Sequence, residues 1–335
     1  MKNYNLKNKR IFIFSLLIIL MLSYILFNKH IENLISNIYI KSHCYNELIC
    51  YYVDVGQADC TIIKLPDDKI MIIDAGNIDT ESESKFVNAF KKIFSSRSLI
   101  VDYLILTHSD NDHCGSMSYI FSMCEVKNFY RPALFLEDLE YYDKNIYNNY
   151  NVVDANDNLA YVQTIKSALN EDNLNIVINK AGIEIIGNEY SFEFLSPSEN
   201  SYTKVNNYSP VILLNYKNRK FMFTGDILES GEREILKNYH KTKIDFLKVA
   251  HHGSKTSSCD DFIKNFTPNY AIISCGEKNN YGLPNSSTIN TLLLNGIKKE
   301  NILITRDVGS IIISVNSKGD ILLAKTKKYL KGYIL

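Results

Sequence analysis

At 335 residues the chain can hold one large domain or two small ones, and its 46% hydrophobic content supports a sizeable core. Its 37 basic and 37 acidic residues cancel. A zero net charge excludes a broad basic nucleic-acid footprint and leaves room only for a local cluster.

Residues 1–10 form a basic flank carrying Lys2, Lys7, Lys9 and Arg10, and the uncharged apolar run Ile11–Phe27 follows. Its 17 residues reach the lower limit of about 17–25 for a spanning helix. The flank predicts a single-pass anchor with a cytoplasmic N-terminus and the rest of the chain outside the membrane. A cleaved signal peptide is the rival reading, but no small-x-small cleavage site follows Phe27. Residues 28–48 read as a stalk, and 49–335 as one domain.

Within that domain, 49–55, 59–65 and 69–74 read as strands, with Pro66, Asp67 and Asp68 as a turn between the last two. A helix is predicted at 84–94, with Phe86, Phe90 and Ile93 on one face. A buried strand at 99–106, a helix at 116–123 and a strand at 126–130 follow. Residues 137–158, rich in Tyr, Asn and Asp, show no period and read as an excursion over the site. Its Tyr141, Tyr142, Tyr147 and Tyr150 could stack on bases or pack on their own domain. A helix at 159–169 follows. The second half carries strands at 174–178, 183–187, 190–195, 210–217, 219–225, 244–250, 270–274, 301–305, 310–315 and 320–325. Helices are predicted at 229–239, near 259–265 and at 286–295. Strand clusters alternating with helices in both halves predict an α+β fold, a four-layer sandwich of two sheets with helices outside. No internal repeat or low-complexity linker divides it.

Residues 107–115, Thr-His-Ser-Asp-Asn-Asp-His-Cys-Gly, gather four candidate metal ligands: His108, Asp110, Asp112 and His113. They follow an apolar strand, whose rigid end lets ligands converge with little entropy to lose. Two more strands end the same way. Lys220 to Asp226 closes on Thr-Gly-Asp, and Phe246 to Ser254 closes on His-His-Gly-Ser with His251 and His252. Each feature alone has a plain structural reading: a solvated loop, a helix N-cap at Asp226, a packed pair of histidines. Three strand ends that all deliver such residues point instead to a metal site. Cys114 beside His113 reads as a small apolar residue at a helix start. The seven cysteines show no zinc-ribbon spacing.

Taken in order, His-x-Asp-x-Asp-His, Thr-Gly-Asp and His-His-Gly-Ser resemble the metallo-β-lactamase fold. More narrowly, they resemble the C-terminal hydrolase domain of the DNA-uptake competence protein ComEC and its stand-alone relatives. Asp54-Val55-Gly56-Gln57-Ala58-Asp59, Ile73-Asp74-Ala75-Gly76, Asn207-Tyr208-Ser209, Asn280-Tyr281-Gly282 and the stretch from Thr305 to Gly309 match further landmarks of that group. The resemblance implies an αβ/βα sandwich with two divalent metal ions, Zn²⁺ or Mn²⁺, along one edge. It places His108 and Asp110 on one ion, Asp112, His113 and His252 on the other, and Asp226 between them. Asp112, Asp226 and His252 are then the residues expected to carry catalysis. His251 is a further candidate ligand that could instead face the core or steer a leaving group. Asp74 is expected to fix the metal loop. Asn207 and Ser209 are expected to position substrate or water, and Lys255 could meet a phosphate.

Asp110 stands where a second His is commoner, which makes the first metal position richer in oxygen and more tolerant of Mn²⁺. Leu283 stands where relatives carry a His, and Ala58, Cys60 and Pro210 are further departures. The implied activity is hydrolysis of a phosphodiester, with single-stranded DNA as the suggested substrate. A phosphoester hydrolase of cell-envelope polymers and a non-catalytic, metal-stabilised binding domain are the alternatives.

Overall fold

A computed structural model describes residues 47–93, 100–136, 151–153 and 158–327. The apolar run Ile11–Phe27, nearly all of the stalk and the four excursion tyrosines lie outside them. Among the described residues no helix is long and apolar enough to cross a membrane.

Two mixed sheets form the frame. The first has eight strands in the order Ile321–Lys325, Ile311–Val315, Leu48–Tyr52, Thr61–Lys64, Ile70–Ile73, Ile100–Ile105, Glu125–Arg131 and Asn175–Ile178. The second has seven: Ile302–Ile304, Tyr270–Ile273, Phe246–Lys248, Arg219–Phe223, Ile212–Tyr216, Tyr190–Phe194 and Glu184–Ile186. Strands Leu48–Tyr52 and Ile70–Ile73 are buried at every position. Unbroken apolar runs of this kind suit strands covered on both faces.

Three apolar clusters account for the layers. Between the sheets, Tyr52, Ile63 and Tyr103 of the first meet Phe192, Phe221 and Phe223 of the second. The Tyr52 ring stacks on Phe223 with centroids 6.0 Å apart, and Tyr103 meets Phe192 edge-on at 5.2 Å. On the outer face of the first sheet, Ile72 and Leu104 pack against Phe86, Ile120 and Ile165 of helices Thr80–Ile93, Met117–Met123 and Leu159–Leu169. On the outer face of the second, Met222 and Leu247 pack against Ile235, Phe262 and Leu292 of helices Glu229–Asn238, Asp260–Phe266 and Ser286–Leu294. Local chemistry starts these helices where they begin. Asp79 Oδ1 accepts from the amides of Glu81 and Ser82, and Asn158 caps Tyr161.

The two halves of the chain do not map one to one onto the two sheets. Strands 175–178, 311–315 and 321–325, assigned to the second half by order, all belong to the first sheet. Apolar alternation identifies a strand but not its partner; Ile311–Val315 pairs antiparallel with Leu48–Tyr52 across most of the sequence. A short parallel pair, Leu134–Leu136 with Asn151–Val153, has no counterpart in the sequence reading. Each strand has only three residues, too few to show a period.

Candidate metal centre

The centre forms at the carboxyl ends of parallel strand pairs, one pair in each sheet. Ile70–Ile73 runs parallel to Ile100–Ile105, and Arg219–Phe223 parallel to Phe246–Lys248. The first pair ends in Asp74 and the loop 107–113, the second in Asp226 and the turn at 251–252. Neighbouring parallel strands deliver their ends to one edge, where chain leaving the sheet is free to carry ligands.

Hydrogen bonds fix the three inner imidazoles in one orientation. Asp74 accepts from the Thr107 amide at 2.9 Å, from Thr107 Oγ1 at 2.8 Å and from His113 Nδ1 at 2.8 Å. The single Thr107 hydroxyl proton goes to Asp74, so Oγ1 accepts from His108 Nδ1, 3.0 Å away. His252 Nδ1 donates to the Ser274 carbonyl at 3.0 Å. Each ring thus spends its Nδ1 proton outward and, when neutral, keeps an Nε2 lone pair for the interior.

Asp226 lies between those rings. Its Oδ1 is 3.4 Å from His113 Nε2, and its Oδ2 is 3.6 Å from His252 Nε2 and 3.7 Å from His251 Nε2. Asp112 Oδ2 reaches His252 Nε2 at 3.2 Å, and Asp110 Oδ2 lies 3.4 Å from His108 Nε2. The His108 and His113 ring centroids are 4.1 Å apart. His108 Nε2, His113 Nε2 and Asp226 Oδ1 are buried without a hydrogen-bond partner. Buried polar atoms are nearly always satisfied, so orphans of this type, facing one another with carboxylates around them, fit divalent cations.

The electrostatics describe the same surplus of negative charge. Burial disfavours charge on His113, but Asp226, Asp74 and Asp112 outweigh it and raise its pKa well above the usual value. His252 is likewise opposed by burial yet pushed up to about 9 by Asp226, Asp59 and Asp112. Asp112 and Asp226, despite burial, are held well below the usual carboxylate range by the neighbouring histidines. His251 moves the other way, because burial outweighs Asp226 and favours its neutral ring. Burial also pushes the Cys114 thiol up, and Cys114 Sγ donates to the Ser109 carbonyl, so it packs as a neutral side chain.

The Metallo-beta-lactamase superfamily model matches residues 53–277, which include strands of both sheets and all of these loops. The chain belongs to the metallo-beta-lactamase superfamily. ComE operon protein 3 of Bacillus subtilis (strain 168) is 26% identical over 258 residues, covering 73% of this chain and 30% of that protein. Recombination protein 2 of Haemophilus influenzae is 26% identical over 240 residues, covering 72% of this chain and 26% of that protein. Competence protein ComA of Neisseria gonorrhoeae is 34% identical over 108 residues, covering 32% and 16%. The chain therefore spans less than a third of the length of the relatives it matches.

Within this metallo-beta-lactamase domain the remaining candidate residues each have a definite place. Asn207 and Ser209 are buried and occupied. Ser209 Oγ accepts from the Asp226 amide at 3.1 Å, and Asn207 bridges the Leu228 amide and Ser230 Oγ. They hold the loop that carries Asp226. Asp226 itself is no N-cap, since the helix it precedes starts after Leu228. Lys255 is exposed and takes part in none of the described hydrogen bonds or ion pairs. His251 is partly exposed, with Nδ1 at 3.0 Å from Thr256 Oγ1 and Nε2 toward Asp226. Asp110 occupies a helix N-cap position without capping, which leaves its carboxylate beside His108. One residue escaped the ligand reading altogether. Asp59 joins His113, Asp226 and His252 in a buried group whose ligand atoms lie within 4.8 Å of one another. The Val-Gly-Gln-Ala-Asp motif contained it but gave no sign of where it points.

Proposed function

We propose that this superfamily hydrolase cleaves phosphodiesters with two divalent cations, that single-stranded DNA is its substrate, and that Ile11–Phe27 tethers it to the membrane with the catalytic domain outside. The carrying observation is the set of unpartnered, buried atoms on His108, His113 and Asp226, brought together from both sheets. His108 and Asp110 would hold one cation, and Asp112, His113 and His252 the other. Asp226 would bridge, since its two oxygens face different imidazoles. Such ions supply a water of lowered pKa and neutralise charge on phosphoryl oxygens. The chain's own part is geometric. Asp74 and Thr107 lock the His108 and His113 rings, Ser274 locks His252, and Ser209 and Asn207 brace the Asp226 loop. The mixed imidazole and carboxylate shell suits Zn²⁺ or Mn²⁺ in the tighter position and a weaker, Mn²⁺-tolerant second position beside Asp110. DNA as substrate is supported by relatives whose names carry competence and recombination.

The test uses the full-length chain in detergent, loaded with Zn²⁺ or Mn²⁺, on bis-p-nitrophenyl phosphate and single-stranded DNA. Asp112→Ala should lose at least about a hundredfold in rate, more than the roughly 10–100-fold typical of outer partners, while the domain stays folded. Cleavage that survives this substitution would remove the assignment. Turnover of the small diester with inert DNA would keep the hydrolase and discard the nucleic acid.

A further inference from the structure

Asp59 ends the loop between the first two strands, and the hydrolytic scheme above gives it no task. Its carboxylate is buried, and so is the Lys248 ammonium that binds it. Lys248 Nζ donates to Asp59 Oδ2 at 2.6 Å and to the Val249 carbonyl at 3.1 Å. The pair crosses between sheets, since Lys248 is the last residue of Phe246–Lys248 and Asp59 precedes Thr61–Lys64. The Asp59 backbone is pinned as well: its amide donates to the Asp112 carbonyl at 3.0 Å, and its carbonyl accepts from Gly76 at 2.8 Å.

The second carboxylate oxygen is the informative atom. Asp59 Oδ1 is buried without a hydrogen-bond partner, 3.8 Å from His252 Nδ1. A buried ion pair repays its desolvation only when the remaining lone pairs are also satisfied. A pair serving merely to join two sheets would gain nothing from a bare oxygen on a residue that offers a ligand atom within 4.8 Å of those of His113, Asp226 and His252. An oxygen that meets a cation resolves the imbalance, because a divalent ion is the partner the atom lacks.

We propose that Asp59 is a further metal-facing carboxylate of the centre, and that Lys248 is the positioning residue that holds Oδ2 and turns Oδ1 toward His113, Asp226 and His252. This rests on the metal centre of the preceding section but not on its substrate. Two measurements on the full-length chain test it. In a crystal structure of the Zn²⁺-loaded wild type, Asp59 Oδ1 should lie about 2.0–2.2 Å from a zinc ion. Zinc held by His113 and His252 with Asp59 beyond about 3 Å overturns the proposal and leaves the hydrolase reading standing. A protein that takes up no zinc overturns both. In chelator competition, the double variant Asp59→Asn/Lys248→Met, which removes the ion pair without stranding either charge, should bind Zn²⁺ about 10–100-fold more weakly while keeping its fold. A folded double variant with wild-type affinity means the pair is a structural pin only. Lys248→Met alone should weaken binding about tenfold, and no change would remove the positioning role. Should the variants fail to fold, the wild-type zinc geometry decides.

Discussion

His251 and His252 adopt φ of 51° and 53°, and Gly253 continues the left-handed run at 80°. Two side-chain-bearing residues there cost on the order of 1–3 kcal/mol each, and surrounding bonds must hold them. The His251 amide donates to the Gly225 carbonyl at 3.1 Å, Ser254 returns to the His251 carbonyl at 2.8 Å, and Asn285 donates to Gly253 at 2.9 Å. The turn therefore swings one imidazole inward while the other stays partly exposed. His252 also gives the centre a pH signature. Its folded pKa of about 9 lies above the ordinary 6.5, so its stabilisation is complete below pH 6.5 and lost as pH rises through 9. His113 is raised likewise. The metal-free chain should lose about 3 kcal/mol across that window from His252 alone, seen as a falling melting temperature in EDTA. The metal-loaded chain should stay flat there, because its imidazoles are already neutral, and zinc uptake at pH 7.5 should release protons. Identical pH curves with and without metal would count against this charge balance. At this scale the candidate ligand residues were legible, because they crowd into short motifs at strand ends. The Asp59–Lys248 pair was not: its partners stand 189 positions apart, and neither side chain is unusual in its own segment.

The turn bearing Asp226 shows how two elements share one space. Gly225 has φ +51°, and a β-carbon there would sit 2.9 Å from Thr107 Cβ and 3.0 Å from Ser209 Cβ. Thr107 orients two of the metal-loop histidines, so the second sheet's Thr-Gly-Asp turn presses directly on the first sheet's ligand loop. Gly225→Ala should cost about 2–4 kcal/mol in urea unfolding, from the left-handed backbone together with the clash, and should also weaken zinc binding. A stable variant with intact zinc affinity would show that the two loops yield independently. Strands and helices were legible because apolar runs and capping residues are local signals. The bonds that Ser209 and Asn207 make to the 226–230 segment were not legible, because sequence order brings them near the site without showing which backbone they brace. The sheet that takes Ile311–Val315 and Ile321–Lys325 was not legible either, since pairing across the whole chain leaves no trace in either segment.

Across the molecule, ligands arrive from both sheets, so cations at the centre would join the sandwich along one edge. Occupancy at a hundred times the dissociation constant is worth about 2.7 kcal/mol by mass action. Chelation should accordingly lower the melting temperature and raise amide exchange in 107–114, 224–228 and 250–254. The packed interior around Tyr52 and Phe223 should keep its protection. Uniform loss of protection everywhere would mean the metal supports the whole core and not the edge alone. The strand order of the first sheet carries one more consequence. Leu48–Tyr52 lies between Thr61–Lys64, which follows it closely, and Ile311–Val315, which arrives some 260 positions later. A nascent chain leaving the ribosome exposes one flank of that early strand until residues 311–315 have been synthesised. Completion of the sheet thus waits for that stretch, and a chain halted before position 311 would present an open, sticky border to chaperones, proteases or its own kind.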